Sequence, residues 1–361
     1  MPMKEYKTVW DLLRAAGYMV EPRDEKHTTM FVLESDKLTV KQRASLVGRQ
    51  VFMGEKLDGV YSLVVVCWVD GVLTVRHFGR SGKAQCNTEA LDEIIKSALC
   101  SRYTRGDMPV GVHISEVTSD SPLAVLSGYL TPTRVEEAEV IPANVQDNFY
   151  DFITLQGFCQ GIYQKEAWAR YEYEKAFMGR IGLPMIHHVQ MKYEEAVALS
   201  KDLIAHGKEG GVIKQCFGTW EAGKRDVRQV KVKEKIETEV RVVGMCSGKV
   251  GSKYEHTLGK LLVFFRTFGE PDGEPLLIPL SGMTDAQRNL WWEHPELIVG
   301  KVVKMAAKSY TGPGNLREPR FKEVREDKCE PDYPCMVCST MAEPCVKAQC
   351  QWKLWEYYPQ H

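Results

Sequence analysis

Gly54-Glu55-Lys56-Leu57-Asp58-Gly59-Val60-Tyr61 (GEKLDGVY) runs directly into Ser62–Val69 (SLVVVCWV). A charged Lys-x-Asp-Gly cluster therefore abuts a run of strand-forming residues. Two readings follow from the residues alone. The cluster is an ordinary turn leading into a buried strand, or it holds a nucleophilic lysine at a strand edge. A few residues on, Asp70-Gly71 sits between apolar runs, which is a hairpin signal, so YSLVVVCWVDGVLTVRHFG reads as two antiparallel strands.

Working outward, TVWDLLRAAGYMV is amphipathic, and TEALDEIIKSALCSRY has helical spacing with an acidic first turn. MPVGVHISEVTS, NFYDFITLQGF, GGVIKQCF and VRQVKVK read as strands. QKEAWARYEYEKAFMGRIG and KYEEAVALSKDLIAHGKEG read as helices that end in glycine. Beyond Lys235 the texture becomes short strands between Gly-rich turns, with one helical insert, TDAQRNLWWEH. That pattern predicts a small five-stranded barrel of the OB type. The expected fold class is α+β, in three parts: an antiparallel-sheet domain over 1–236, an OB barrel over 237–328 and a Cys-rich tail over 329–361.

With 361 residues the chain has room for two domains and an extension, and 44% hydrophobic content supports real cores. A net charge of -1 offers no global basic field, so any polyanion site must be a local patch. One such patch is AGKRDVRQVKVKEK, with six basic residues against two acidic ones. The longest apolar run, Leu63–Val69, is too short to span a membrane, and the start lacks a secretory leader pattern. Scattered cysteines suit a reducing compartment, so a cytoplasmic protein is expected.

Three further groups add chemistry to Lys56. Glu209-Gly210-Gly211-Val212-Ile213-Lys214 sets a carboxylate and a lysine at the two ends of one strand. Lys231-Val232-Lys233 puts two amines on the same strand face, because side chains alternate with period two. Amines for phosphates, and carboxylates for Mg²⁺ or ribose hydroxyls, are what a nucleoside triphosphate requires. Neighbouring positive charge also helps a lysine shed the proton that blocks its nucleophilicity.

Taken in order, these motifs resemble those of the covalent nucleotidyltransferases, and within them the ATP-dependent DNA ligases of the compact phage and viral type. The likeness rests on Lys56-Leu57-Asp58-Gly59, Arg80-Ser81-Gly82-Lys83, Glu116, FYDFI, Glu209–Lys214, Lys231-Val232-Lys233 and Arg325-Glu326-Asp327-Lys328, and it spans about Val51 to Lys328. It implies a nucleotidyltransferase (adenylation) domain joined to an OB domain, with ATP and Mg²⁺ as cosubstrate and cofactor and nicked duplex DNA as partner. It also implies a monomer, with no membrane association, in a bacterial or phage-infected cell. By the same resemblance Lys56 becomes the lysyl-AMP, Glu55 lines the adenine pocket and Tyr150 stacks on the base. Glu116 meets ribose or metal, Glu209 supports the metal, Lys231 and Lys233 bind the AMP phosphate, and Arg80 holds the 5′-phosphate of the nick. Arg325, Asp327 and Lys328 orient the pyrophosphate. Two positions depart from the pattern: Tyr61 stands where an arginine is expected, and Ile114-Ser115 precedes Glu116 in place of Asp-Gly.

In the tail, Cys335, Cys338, Cys345 and Cys350 place four thiols within 16 residues. Either a structural zinc staples them, or they stay reduced while Trp352, Trp355, Tyr357 and Tyr358 pack on the barrel. Pro334-Cys335-x-x-Cys338 also matches half of a zinc-deaminase signature, but set against the His-x-Glu half, His113-x-x-Glu116 is off by one and far away in sequence. GRSGKA has the wrong glycine spacing for a P-loop. The expected activity is sealing of 5′-phosphate/3′-hydroxyl nicks in DNA. RNA ligation, mRNA capping and a non-catalytic OB/zinc nucleic-acid-binding role remain as alternatives.

Overall fold

Residue patterning on the central strand explains why the first unit has two cores. Every residue from Tyr61 to Cys67 is buried. Tyr61, Leu63, Val65, Cys67 and Val69 face one core, which they share with Val9, Trp10, Leu12 and Leu13. Val64 and Val66 face the other, with Ile95, Leu99, Phe177 and Met178. A strand covered on both faces has no use for polar alternation and reads as a continuous apolar run. Fully burying each such side chain is worth ~1.5–3 kcal/mol, enough to hold the strand in the middle of its sheet.

The structure is a computed structural model that describes residues 6–20, 28–131, 141–233, 236–265, 276–307 and 316–332. The chain divides into two units, Met1–Lys233 and Glu234–His361. In the first unit the strands are β1 (Phe31–Glu34), β2 (Gln50–Glu55), β3 (Val60–Val69), β4 (Val72–Phe78), β5 (Gly111–Thr118), β6 (Gln146–Ile153), β7 (Ile162–Tyr163), β8 (His188–Lys192), β9 (Gly210–Gln215), β10 (Trp220–Glu221) and β11 (Arg225–Lys233). They form a five-stranded sheet in the order β1-β11-β9-β2-β8, a four-stranded sheet in the order β4-β3-β5-β6, and the short pair β10-β7. All pairs are antiparallel except β1 with β11, a parallel edge that the antiparallel expectation did not contain.

Helix α1 (Val9–Ala15) is started by a capping box between Thr8 and Asp11 and buries Trp10 and Leu13 in the first core. The β3–β4 hairpin turns at Asp70 and Gly71, both with positive φ, as the Asp-Gly signal required. NFYDFITLQGF is strand only as far as Ile153. Thr154 then accepts a bond from the Gly157 amide and starts a short helix, Leu155–Gln160, which stops at Gly161 with φ 78°. The apolar residues after Thr154 serve that turn of helix, and this is why the strand reading ran too far. The helices over Ala167–Ile181 and Tyr193–Ala205 stand where their periodicity placed them.

The second unit holds β12 (Ile236–Ser247), β13 (Leu258–Phe265), β14 (Leu276–Leu280), β15 (Val302–Ala307) and β16 (Arg320–Val324) in the order β14-β13-β12-β15-β16. A parallel bridge between Ser281 and Arg320 brings the two edges together, with Phe321 N donating to Ser281 O at 2.7 Å. The helix over Asp285–Glu293, capped by Thr284, lies between β14 and β15. This is the expected OB barrel, and its fifth strand falls inside LREPRFKEVREDK. Ile236 already pairs with Ala307, so the barrel begins at that residue. The tail cysteines Cys335, Cys338, Cys345 and Cys350, with the four tail aromatics, lie outside the described residues. No described helix is long and apolar enough to cross a membrane.

One buried polar network ties the four-stranded sheet to its covering helix. His77 on β4 bonds to Asp92 at 2.6 Å and to Asp147 at 2.9 Å, and Ser115 donates to Asp147 at 2.5 Å. Burial disfavours the charged ring, but the Asp147 and Asp92 carboxylates outweigh it and push His77 up to about 10. The protonated ring therefore adds stability below its ordinary value of 6.5, and that contribution fades as pH rises through about 10. His77→Leu removes one partner from each carboxylate, although Asp92 keeps Arg76 at 2.6 Å and Asp147 keeps Ser115; it is expected to cost ~1–3 kcal/mol at neutral pH in urea unfolding, with the deficit shrinking toward pH 10.

Candidate active site

The site forms where β2 leaves its sheet. Val51 and Met53 point into the core beneath the Tyr193–Ala205 helix. Phe52 points the opposite way, against Tyr171. Glu55 pairs with Gly211 of β9, and the Lys56 amide donates to Gly210 O at 2.9 Å. That backbone bond sets Lys56 beside Glu209, and Lys56 Nζ lies 2.5 Å from Glu209 Oε2. Both side chains are about three-quarters buried, at 23% and 26% exposure, so their pairing is shielded from much of the screening that weakens surface ion pairs.

Two glycines make this approach feasible. Gly210 has φ +124°, and a Cβ there would meet Val232 O at 2.1 Å. At Gly59 a Cβ would meet Val117 O at 2.5 Å and Glu116 Cγ at 2.7 Å. The motif glycine thus lets the Lys56–Gly59 loop lie against β5, and this packing is what brings Glu116 to the site.

Glu116 lies opposite Tyr61 across the β3–β5 pair. Burial pushes its carboxyl up to about 7; Lys56 and Arg80 oppose that shift, whereas Glu209 and Asp58 add to it. Lys231 and Lys233 share one face of β11 and converge on Glu34 of β1, at 3.3 Å and 3.9 Å. Burial draws Lys231 down despite Glu34, and the charges of Lys56 and Arg80 draw it further. Against the upward pull of burial, the bond to Lys37 and the charges of Lys231, Lys37 and Lys233 hold Glu34 at about 2. Lys56, Arg80, Glu116, Glu209 and Lys231 are thus electrostatically coupled, and Lys233 joins them through Glu34. Glu55 sits at the rim, where its carboxylate pairs with Lys208 at 3.3 Å.

Tyr150 rests on a buried charge. Lys214 Nζ lies 4.6 Å from the Tyr150 ring centroid and 3.4 Å from Asp151. Arg170 clamps Asp151 with two bonds, of 2.8 Å and 3.1 Å. Burial works against the Asp151 charge, yet Arg170 and Lys214 hold it at about 2. Sequence reasoning singled out Tyr150 and Lys214 but missed Asp151, Arg170 and Glu34. Glu34 carried no motif, because its relation to Lys231 and Lys233 exists only through the parallel β1–β11 edge.

Arg325, Asp327 and Lys328 belong to the second unit. Arg325 bonds Asp327 at 2.7 Å and pairs with the buried Glu239; Lys328 also pairs with Glu239 and lies 3.8 Å from Asp332. The Arg325 hydrogen bond holds Asp327 at about 2.

Among the described residues, no three His, Cys, Asp or Glu side chains group to cage a metal. Mg²⁺ requires no such cage, since it takes one or two carboxylates together with substrate phosphates. Glu116 and Glu209 fit that demand: the Glu209 charge adds to the upward shift of Glu116, and a divalent cation held by these carboxylates would relieve it.

The fold belongs to a known class, that of solved DNA ligase structures. No protein-family model matches the chain, and no curated protein does. A structure described as Pmar-Lig_PreS3 superposes with a TM-score of 0.65 at 22% identity, over 82% of this chain and 67% of the other. A structure from an analysis of Lig E DNA ligases, which describes DNA binding with a minimal scaffold, matches with a TM-score of 0.55 at 16% identity, over 82% of this chain and 98% of the other. At these identities the likeness is one of fold, and in fold the resemblance read from the motifs is shown.

Glu116 gives the site a pH signature. The folded state holds its proton up to about pH 7, whereas the ordinary value is 4.5, so this group costs stability as pH rises across that interval. Glu116→Gln has no such slope. The melting temperature of E116Q is expected to rise relative to wild type from pH 5 to pH 8, as read by differential scanning calorimetry. Parallel curves would show that Glu116 does not hold its proton in this way.

Proposed function

We propose that the protein is an ATP-dependent DNA ligase that seals 5′-phosphate/3′-hydroxyl nicks in duplex DNA. The observation that carries this reading is the largely buried Lys56–Glu209 pair, with Glu116, Arg80 and Lys231 coupled to it and Lys233 joined through Glu34. The first unit, up to Lys233, acts as the adenylation domain, and the barrel that begins at Ile236 acts as the OB domain. The shared fold of the Lig E DNA ligases supports the choice of DNA as substrate. A monomer in the cytoplasm is the form the reading implies.

In the first step Lys56 Nζ, having lost its proton, attacks the α-phosphorus of ATP. The bond to the bridging oxygen breaks and pyrophosphate leaves. In the second step an oxygen of the nick 5′-phosphate attacks that phosphorus, and the lysine–phosphorus bond breaks. In the third the 3′-hydroxyl attacks the 5′-phosphorus, gives up its proton and expels AMP. Lys231 and Lys233 bind the AMP phosphate, Tyr150 stacks on adenine over the buried Lys214, and Glu55 borders the base pocket. Arg80 takes the 5′-phosphate, and Arg325, Asp327 and Lys328 orient the pyrophosphate. Mg²⁺ held by Glu116 and Glu209 would neutralise charge on the phosphates. The chain's own contribution is positioning and electrostatics, which phosphoryl-type transfer mostly needs.

Incubation with α-labelled ATP and Mg²⁺ is expected to give a covalent adduct that Lys56→Ala abolishes. An adduct with GTP alone would move the activity to capping, and no adduct with either nucleotide would sink the enzyme reading. Sealing of nicks in DNA against RNA-containing duplexes then fixes the strand class.

A further inference from the structure

The residue at the one position where the lysine motif departs from expectation is neither free nor idle. Tyr61 is buried, at 9% exposure, and its hydroxyl donates to Thr29 Oγ1 at 2.7 Å. The Arg80 guanidinium carbon lies 5.0 Å from the centroid of its ring. The neighbouring Thr28 donates to the Arg80 carbonyl at 2.5 Å. Thr28 and Thr29 are both buried, so adjacent residues grip the main chain of Arg80 and the ring beneath its side chain. From the other side, Gln85 Nε2 donates to the Tyr61 carbonyl at 3.3 Å. The loop that carries Arg80 is itself a tight turn, closed by Gly79 N to Lys83 O at 2.8 Å and Gly82 N to Gly79 O at 2.9 Å.

We propose that Tyr61 is a positioning residue, whose ring, pinned by Thr29, fixes the Arg80 guanidinium over the site so that one arginine meets the incoming 5′-phosphate. The inference rests on the ligase reading above. An aromatic face attracts a cation through its quadrupole, most strongly where water is excluded. It also restricts a long side chain that would otherwise sample many rotamers, and a pre-oriented donor loses less entropy when the phosphate arrives. A second arginine at position 61 would instead bury a like charge beside Arg80 and leave Thr29 without its donor.

The test separates the steps. Tyr61→Ala is expected to slow AMP transfer to the nick by about tenfold or more, and to impair lysyl-AMP formation far less. Tyr61→Phe, which keeps the ring, is expected to restore most of the lost transfer rate. Arg80→Ala and the Tyr61→Ala/Arg80→Ala double variant are expected to be equally slow, since both act through one guanidinium. An activity-independent readout accompanies these rates: the Arg80 Nε–H resonance carries a ring-current shift in wild type and Y61F and loses it in Y61A. Equal slowing of both steps, multiplicative effects in the double variant, or an unmoved resonance in Y61A would each overturn the proposal. Failure of the wild type to form any lysyl-AMP would instead count against the ligase reading, and the resonance would still decide the role of Tyr61.

Discussion

The register of β2 against β9 is the constraint on which the site depends. Side chains alternate along a strand, so a slip of one residue would exchange the two faces of β2. Val51 and Met53 fill one core while Phe52 fills another, and both sets are almost fully buried. Packing on both faces therefore locks the register. The locked register gives the Lys56 amide its bond to Gly210 O and the Lys56 amine its place beside Glu209. Lys56 is thus positioned by hydrophobic residues that carry no charge of their own.

Charge balance is the second organising principle. Several cations crowd one largely buried region, and the lysines among them find carboxylates: Lys56 has Glu209, and Lys231 and Lys233 have Glu34. In a low-dielectric setting an unpaired charge would be costly, so these pairs keep the site folded in the absence of a polyanion. On the proposed reading, substrate phosphates take over the amines that these carboxylates hold. Glu116 shows the residual tension: burial first, and then repulsion from two other acids, holds its carboxyl up at about 7. A site that stores such repulsion gives up some stability, as binding sites commonly do.

Much of the fold was legible because local signals agreed with it. The Asp70-Gly71 hairpin, the amphipathic spacing of TVWDLLRAAGYMV, and the short strands between Gly-rich turns each carry their own physics in a few residues. The reading failed where the same residue types serve two elements, as in FITLQGF, where Thr154 ends a strand and caps a helix. It was silent on the parallel edge between β1 and β11, since nothing local in Phe31–Glu34 says which distant strand it joins. Glu34, Asp151 and Arg170 were missed for the same reason: each acts through a neighbour that is remote in sequence.

What the sequence determined by itself was the inventory and its order: a lysine motif, a carboxylate–lysine strand, paired amines on one face, and a terminal basic motif on a small barrel. Period-two alternation alone placed Lys231 and Lys233 together. What only the tertiary structure decided was which partner each charge has, and what fills the place of the expected arginine. Tyr61 looked like a loss of charge in the one-dimensional string. In three dimensions it is a buried ring, fastened by Thr29, with Arg80 lying across it. Partner choice of this kind depends on distance and burial, and the chain acquires both only when separate strands pack together.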